Sequence, residues 1–112
     1  MTMTIIRIDG TLITDWDSFH TLFAHAFGFP EFYGRNMNAW IDCMTYLDDP
    51  DSGMSKVHCS PGDVIVLQVD DVNQVPSELY AALVGCAAFV NWRRIDQGEP
   101  AVLALSFHRT AS

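Results

Sequence analysis

Three short apolar, β-branched runs, each far from the next, constrain this chain more than any other feature. They are residues 4–9 (TIIRID), 64–69 (VIVLQV) and 101–107 (AVLALSF). Each reads as a β-strand, and the first closes on the turn pair Asp9-Gly10. The middle run is nearly continuous in apolar residues, which predicts a strand covered on both faces. The stretches between the runs have helical periodicity and helical length. Strands joined by helical crossovers pair in parallel, with right-handed connections.

The helices follow from the spacing of apolar residues. Thr14-x-x-Asp17 is a candidate capping box. Trp16, Phe19, Phe23, Ala26 and Phe27 then recur every three or four residues, as a buried helix face does, and Gly28 and Pro30 end it. A second helix is expected from about Asn36 to Leu47, with Met37, Trp40, Ile41, Met44 and Leu47 as its apolar stripe. Residues 48–62 are polar, contain Pro50, Gly53, Pro61 and Gly62, and read as a long surface loop. Pro76 fits the first position of a third helix, with Glu78 in its first turn. Leu79, Leu83, Cys86 and Val90 give its core face, and Gly98 its stop. Residues 109–112 read as a short frayed tail. The expected fold is α/β: a small three-stranded parallel sheet packed with helices, in the order β-α-α-β-α-β. The length of 112 residues suits a single domain over 1–112, and the 49% hydrophobic content suffices for its core without disulfide staples.

Fourteen acidic residues oppose six basic ones, for a formal net charge of −8. Nucleic acid and anionic membranes are therefore poor partners, because phosphate binding needs a basic surface. A basic protein is favoured, since opposite fields steer encounter. The same acidity would also serve simply to keep a small domain in solution. Residues 1–9 lack the basic and apolar segments of an export signal. The apolar run 79–90 is too short to span a bilayer. Cys43, Cys59 and Cys86 are odd in number and widely spaced, so a disulfide framework is not expected and the cytoplasm is the default compartment.

Motifs for catalysis are missing. No GxSxG, HExxH, CxxC or phosphate-loop pattern occurs. Of the four histidines (His20, His25, His58 and His108), the first two are five apart and do not share a helix face. His58-Cys59 offers two of the four ligands that a structural zinc needs. Asp49, Asp51 and Gly53 echo a calcium loop without its terminal glutamate. Asp70-Asp71 follow the second strand, where α/β active sites often lie, but are ordinary turn residues too. The expectation is no enzyme, no metal and no cofactor. An enzymatic reading would need a histidine within hydrogen-bond reach of Asp42 or Asp70.

Residues 30–47 (PEFYGRNMNAWIDCMTYL) are more specific. Asn38, Asp42 and Thr45 fall at i, i+4 and i+7, on one helix face away from the apolar stripe. A tight turn precedes them. Gly34 would allow a backbone conformation closed to other residues, or close approach of a partner. Phe32 and Tyr33 beside it form a candidate interface anchor. The competing reading is purely structural, with Asn36 as helix cap and Phe32 and Tyr33 half-buried.

Residues 13–47 resemble the barstar family, intracellular inhibitors of the ribonuclease barnase. The family pattern is a Ser/Thr-Asp helix start, a hydrophobic helix, then Pro-Glu-Tyr-Tyr-Gly-x-Asn and a helix containing Trp-Asp-Cys-Leu-Thr. Pro30, Glu31, Tyr33, Gly34, Asn36, Asp42, Cys43 and Thr45 stand in register with it, over about a third of the chain. The resemblance implies a parallel three-stranded sheet and a partner that is a basic secreted ribonuclease or related nuclease toxin. It implies that residues 32–46 occlude the nuclease active site, with the Asp42 carboxylate mimicking substrate phosphate. Phe32 and Tyr33 match the aromatics over the catalytic histidine, and Gly34, Asn36 and Thr45 match further contacts. Asn38 and Tyr46 complete the expected surface. The free protein is expected to be a monomer. Four positions depart from the pattern. Asn38 replaces an acid, Phe32 a tyrosine, and Ile41 the aromatic before the key aspartate. An acid of the third helix aligns with Arg93 or Arg94, depending on register. These departures point to a nuclease other than barnase, or to an adaptor with a non-nuclease partner.

Overall fold

A computed structural model describes residues 4–109. It contains strands β1 (Thr4–Asp9), β2 (Ile65–Asp70) and β3 (Leu103–Phe107), and helices α1 (Trp16–Phe27), α2 (Met37–Thr45) and α3 (Ser77–Asp96). Single 3-10 turns lie at Gly10–Leu12, Pro50–Ser52 and Val72–Gln74. The fold is α/β in the order β-α-α-β-α-β, as expected. The sheet runs β1-β2-β3 with both pairings parallel. The export-signal segment 1–9 and the tail 109–112 lie partly outside the described residues.

Both crossovers step in the same direction across the sheet, so connections of one hand place the helices on one face. Burial follows that geometry. Ile65, Leu67 and Val69 are fully buried, while Val66, Gln68 and Asp70 between them are only half-buried. The expectation that β2 is covered on both faces is thus corrected. Its outer face is wet, and there Asp70 accepts from Arg7 at 2.9 Å and from Gln68 at 2.8 Å. Across the sheet, Ile6, Leu67 and Leu105 form one register row of the core face.

Helix α1 is capped one residue later than Thr14-x-x-Asp17 predicts. Asp15 is extended, and its carboxylate accepts from the Ser18 amide at 2.8 Å. The Ser18 hydroxyl in turn accepts from the Asp15 amide at 3.0 Å, completing the capping box. Phe19, Phe23 and Phe27 are fully buried and Trp16 is at the surface. Gly28 ends the helix at φ 66°, a conformation that favours glycine. A Cβ there would also sit 2.7 Å from the Lys56 side chain. In α3, Leu79, Leu83, Ala87, Val90 and Arg94 are buried, whereas Cys86 is only partly so. Pro76 is the residue before that helix, and Gly98 (φ 83°) follows its end.

Residues 48–62 are irregular apart from Pro50–Ser52, yet they are not merely a surface loop. Ser55 is buried, and its hydroxyl donates to the Phe27 carbonyl at 2.8 Å. The amides of Lys56 and Val57 reach the same carbonyl, and the Cys59 amide donates to Leu47. These bonds satisfy carbonyls that the ends of α1 and the turn after α2 leave open. No helix among the described residues is long and apolar enough to cross a membrane.

Candidate partner-binding site

The turn before α2 is built from Gly34, Arg35 and Asn36. Asn36 caps the helix: it is extended, and its side-chain oxygen accepts from the Ala39 amide at 2.8 Å. The left-handed residue is Arg35, at φ 53°, and not Gly34 as the turn's glycine suggests from sequence. A non-glycine residue in that region is uncommon. Its guanidinium is fastened to α1, donating to the Asp17 carboxylate at 2.7 Å and to Thr21 at 2.9 Å. Gly34 instead answers to space, since a Cβ there would lie 3.2 Å from the Asn36 amide nitrogen.

The two aromatics of the turn part company. Phe32 is 76% exposed. Tyr33 is half-buried, with its ring 4.8 Å from that of Phe29 and its hydroxyl 2.6 Å from His20 Nδ1. Burial raises the Tyr33 phenol well above its ordinary range, so it stays protonated. Burial, aided by the charge of Arg35, lowers the pKa of His20 and favours the neutral ring. Both directions keep this contact one between a neutral ring and a protonated phenol, with the imidazole tautomer setting which of the two donates. The cap at Asn36 and the half-burial of Tyr33 are as the structural reading expects, whereas Phe32 is exposed and not half-buried.

On α2, Trp40, Cys43, Met44 and Thr45 face the core, with Leu47 just beyond, while Asn38 and Asp42 are exposed. Thr45 does not share their face, which corrects the sequence reading. It is 7% exposed, and its hydroxyl turns back to the Ile41 carbonyl at 2.6 Å. Tyr46, half-exposed, takes the third place in the row after Asn38 and Asp42.

Arg93 and Arg94 are distinguished by position. Arg94 is buried, donating to Thr45 O at 2.7 Å, to Pro100 O at 2.9 Å and to both oxygens of Asp48. Arg93 stands at the surface and pairs with Asp42, Nη1 to Oδ1, at 2.9 Å. Asp42 is thus bonded to a guanidinium and not to a histidine. Sequence reasoning gave no role to His20 in positioning Tyr33. It also passed over Phe89 and Trp92, exposed aromatics 5.7 Å apart on α3. The signal was available for that pair, because neither falls on the Leu79, Leu83, Val90 stripe.

A second cleft opens at the carboxyl ends of the strands, lined by Arg7, Asp9, Asp70, Asp71, His108 and Arg109. Hydrogen bonds from Gln68 and Arg7 hold the Asp70 carboxyl below its usual range, which suits an ion pair and not a general acid. The His108 ring is 2.8 Å from the Ser106 hydroxyl. Among the described residues no three His, Cys, Asp or Glu side chains converge as metal ligands.

A comparison with curated proteins returns no match. The family model described as Barstar (barnase inhibitor) matches residues 3–104, nearly the whole chain. The capped α2 helix, the exposed Asp42 and strands β1 and β2 fall within that match, which ends inside β3, and the chain belongs to the barstar family.

Proposed function

We propose that this protein inhibits a ribonuclease by seating residues 32–46 in the enzyme's active-site cleft, with the Asp42 carboxylate in the place of a substrate phosphate. The observation that carries the reading is the setting of Asp42. It is a half-exposed carboxylate on a helix whose entry turn is pinned to α1 through Arg35 and Tyr33. An anion held on a helix whose entry turn carries an exposed ring is pre-organised to bind, since little freedom is lost on docking. Phe32 would supply the apolar anchor. Asn38, Asn36, Gly34 and Tyr46 would line the contact, and Tyr33 would present only its ring edge. Thr45 is left out because its hydroxyl is already engaged within α2. The partner would be a basic secreted ribonuclease or related nuclease toxin, met inside the cell, and the free inhibitor would be a monomer.

The test is inhibition of a panel of microbial ribonucleases by wild type, Asp42→Asn and Asp42→Ala. Loss of a charge-assisted contact should weaken inhibition at least about tenfold in both variants. Undiminished inhibition by Asp42→Ala would sink the carboxylate plug. A second reading, an adaptor for a non-nuclease protein, is favoured by the cation beside Asp42 and by exposed Phe89 and Trp92. A non-nuclease protein captured from native extract, with no inhibition anywhere in the panel, would select it.

A further inference from the structure

Charge is spread unevenly along this chain. Its formal net charge is −8, yet no residue from Leu79 to Trp92 is charged. On a surface helix the residues opposite the core stripe are ordinarily polar. On α3 they are Ala81, Gly85, Ala88, Phe89 and Trp92, which share one helix face and are all exposed. Trp92 is 60% exposed, and Ile95, one turn on, is 59% exposed. Phe89 and Trp92 stand 5.7 Å apart as a ridge. The small residues before them leave a shallow trough. A Cβ at Gly85 would meet nothing within 4 Å, so that trough is open. A helix that is apolar all round is built to be covered on both sides. Here the core covers one side only.

We infer that α3 pairs with α3 of a second copy of this chain, antiparallel, about a two-fold axis beside Gly85. Three features of the face point to a second copy. First, it carries ridge and trough side by side, and a two-fold rotation seats Phe89 and Trp92 of each chain over Ala81 and Gly85 of the other. Second, the same rotation sets the two helix dipoles antiparallel and brings Glu78, in the first turn of one helix, level with Arg93 in the last turn of its mate. Among the described residues Arg93 holds Asp42 through Nη1 alone, so its fork has donors left for a second carboxylate. Third, the size is right for a weak dimer. A helix of 20 residues is about 30 Å long, so two such faces bury on the order of 1,000 Å² in total, within the range of transient interfaces. Repulsion between two acidic chains weakens the pair further. The chain is therefore a monomer at the low concentrations at which an inhibitor meets its enzyme, and it pairs as it accumulates.

Sedimentation velocity on the full chain, from about 5 µM to about 500 µM, tests this. The average mass should climb toward twice that of the monomer, with a dissociation constant on the order of 100 µM. Trp92→Glu places a charge in the ridge and Gly85→Leu fills the trough, and each should weaken pairing at least about tenfold. Neither position is buried, so in dilute solution Trp92→Glu should keep the melting temperature of the wild type. Gly85→Leu should raise it, because leucine favours a helix over glycine. Gly85→Cys should give a disulfide-linked dimer on mild oxidation, since the axis brings the two thiols together. A chain that stays monomeric up to about 500 µM overturns the inference and leaves the face to a different protein. A dimer that survives both Trp92→Glu and Gly85→Leu overturns it as well, because that dimer pairs through another surface.

Discussion

Arg93 and Arg94 are adjacent on α3 and both reach toward α2, yet one guanidinium lies at the surface and the other is 2% exposed. Arg93 makes one bond, to a carboxylate that is itself half in water. Arg94 fills a closed pocket, with two backbone carbonyls and both oxygens of Asp48 around it. The difference teaches that contact type alone does not set energetic weight. A buried charge has lost its hydration and depends on every partner it has, whereas an exposed one can exchange its partner for water.

Breaking the buried tie should have the largest effect. Arg94→Ala strands Asp48 and two carbonyls, and should cost about 3 kcal/mol or more in urea unfolding. A loss below about 1 kcal/mol would mean that water replaces the guanidinium and that the seam is looser than its geometry implies. The Tyr33–His20 bond is intermediate in exposure and should be intermediate in energy. Tyr33→Phe should cost about 1 kcal/mol, since it leaves His20 Nδ1 without its hydrogen-bond partner. That bond also has a pH signature. The pKa of His20 in the fold is lowered from its ordinary 6.5, so folding favours the neutral ring. Stability should be complete above about pH 6.5 and decline as pH falls from there toward the lower folded value. His20→Gln should flatten that decline, and an unchanged slope would assign it to other groups. The exposed tie comes last. Arg93→Ala should change stability by no more than about 0.5 kcal/mol, whatever it does to binding.

The parts of this fold that depend on local pattern are legible in the sequence. The order of elements along the chain, the Phe19, Phe23, Phe27 face and the Trp40, Met44, Leu47 stripe all follow from spacing, whereas the order of strands in the sheet does not. The parts that depend on what packs opposite are not. The run VIVLQV has an apolar residue on both faces, yet the helices cover only one, and nothing within the run records that. Thr45 stands near the exposed row by helical angle, but a short hydroxyl can satisfy itself on its own helix and be buried. The left-handed residue of the turn is Arg35 beside an available glycine, because bonds to Asp17 and Thr21 hold it there. In the candidate site, Asp42 and Phe32 are exposed as the binding reading expects, while choosing between Arg93 and Arg94 needed the third dimension. Even so, Arg94 continues the Leu83, Ala87, Val90 spacing, and an arginine in that register signals a buried and fully paired guanidinium.

The segment that closes over the end of α1 has a consequence for exchange and cleavage. The amides of Lys56, Val57 and Cys59 belong to no regular element, yet each is bonded to a carbonyl of Phe27 or Leu47. Their protons should exchange with deuterium on the slow timescale of a helix interior. The exposed positions around Gly53 should exchange at once and be the first nicked by protease. A chain cut there would keep its clasp, because the bonds holding it lie on the far side of the cut.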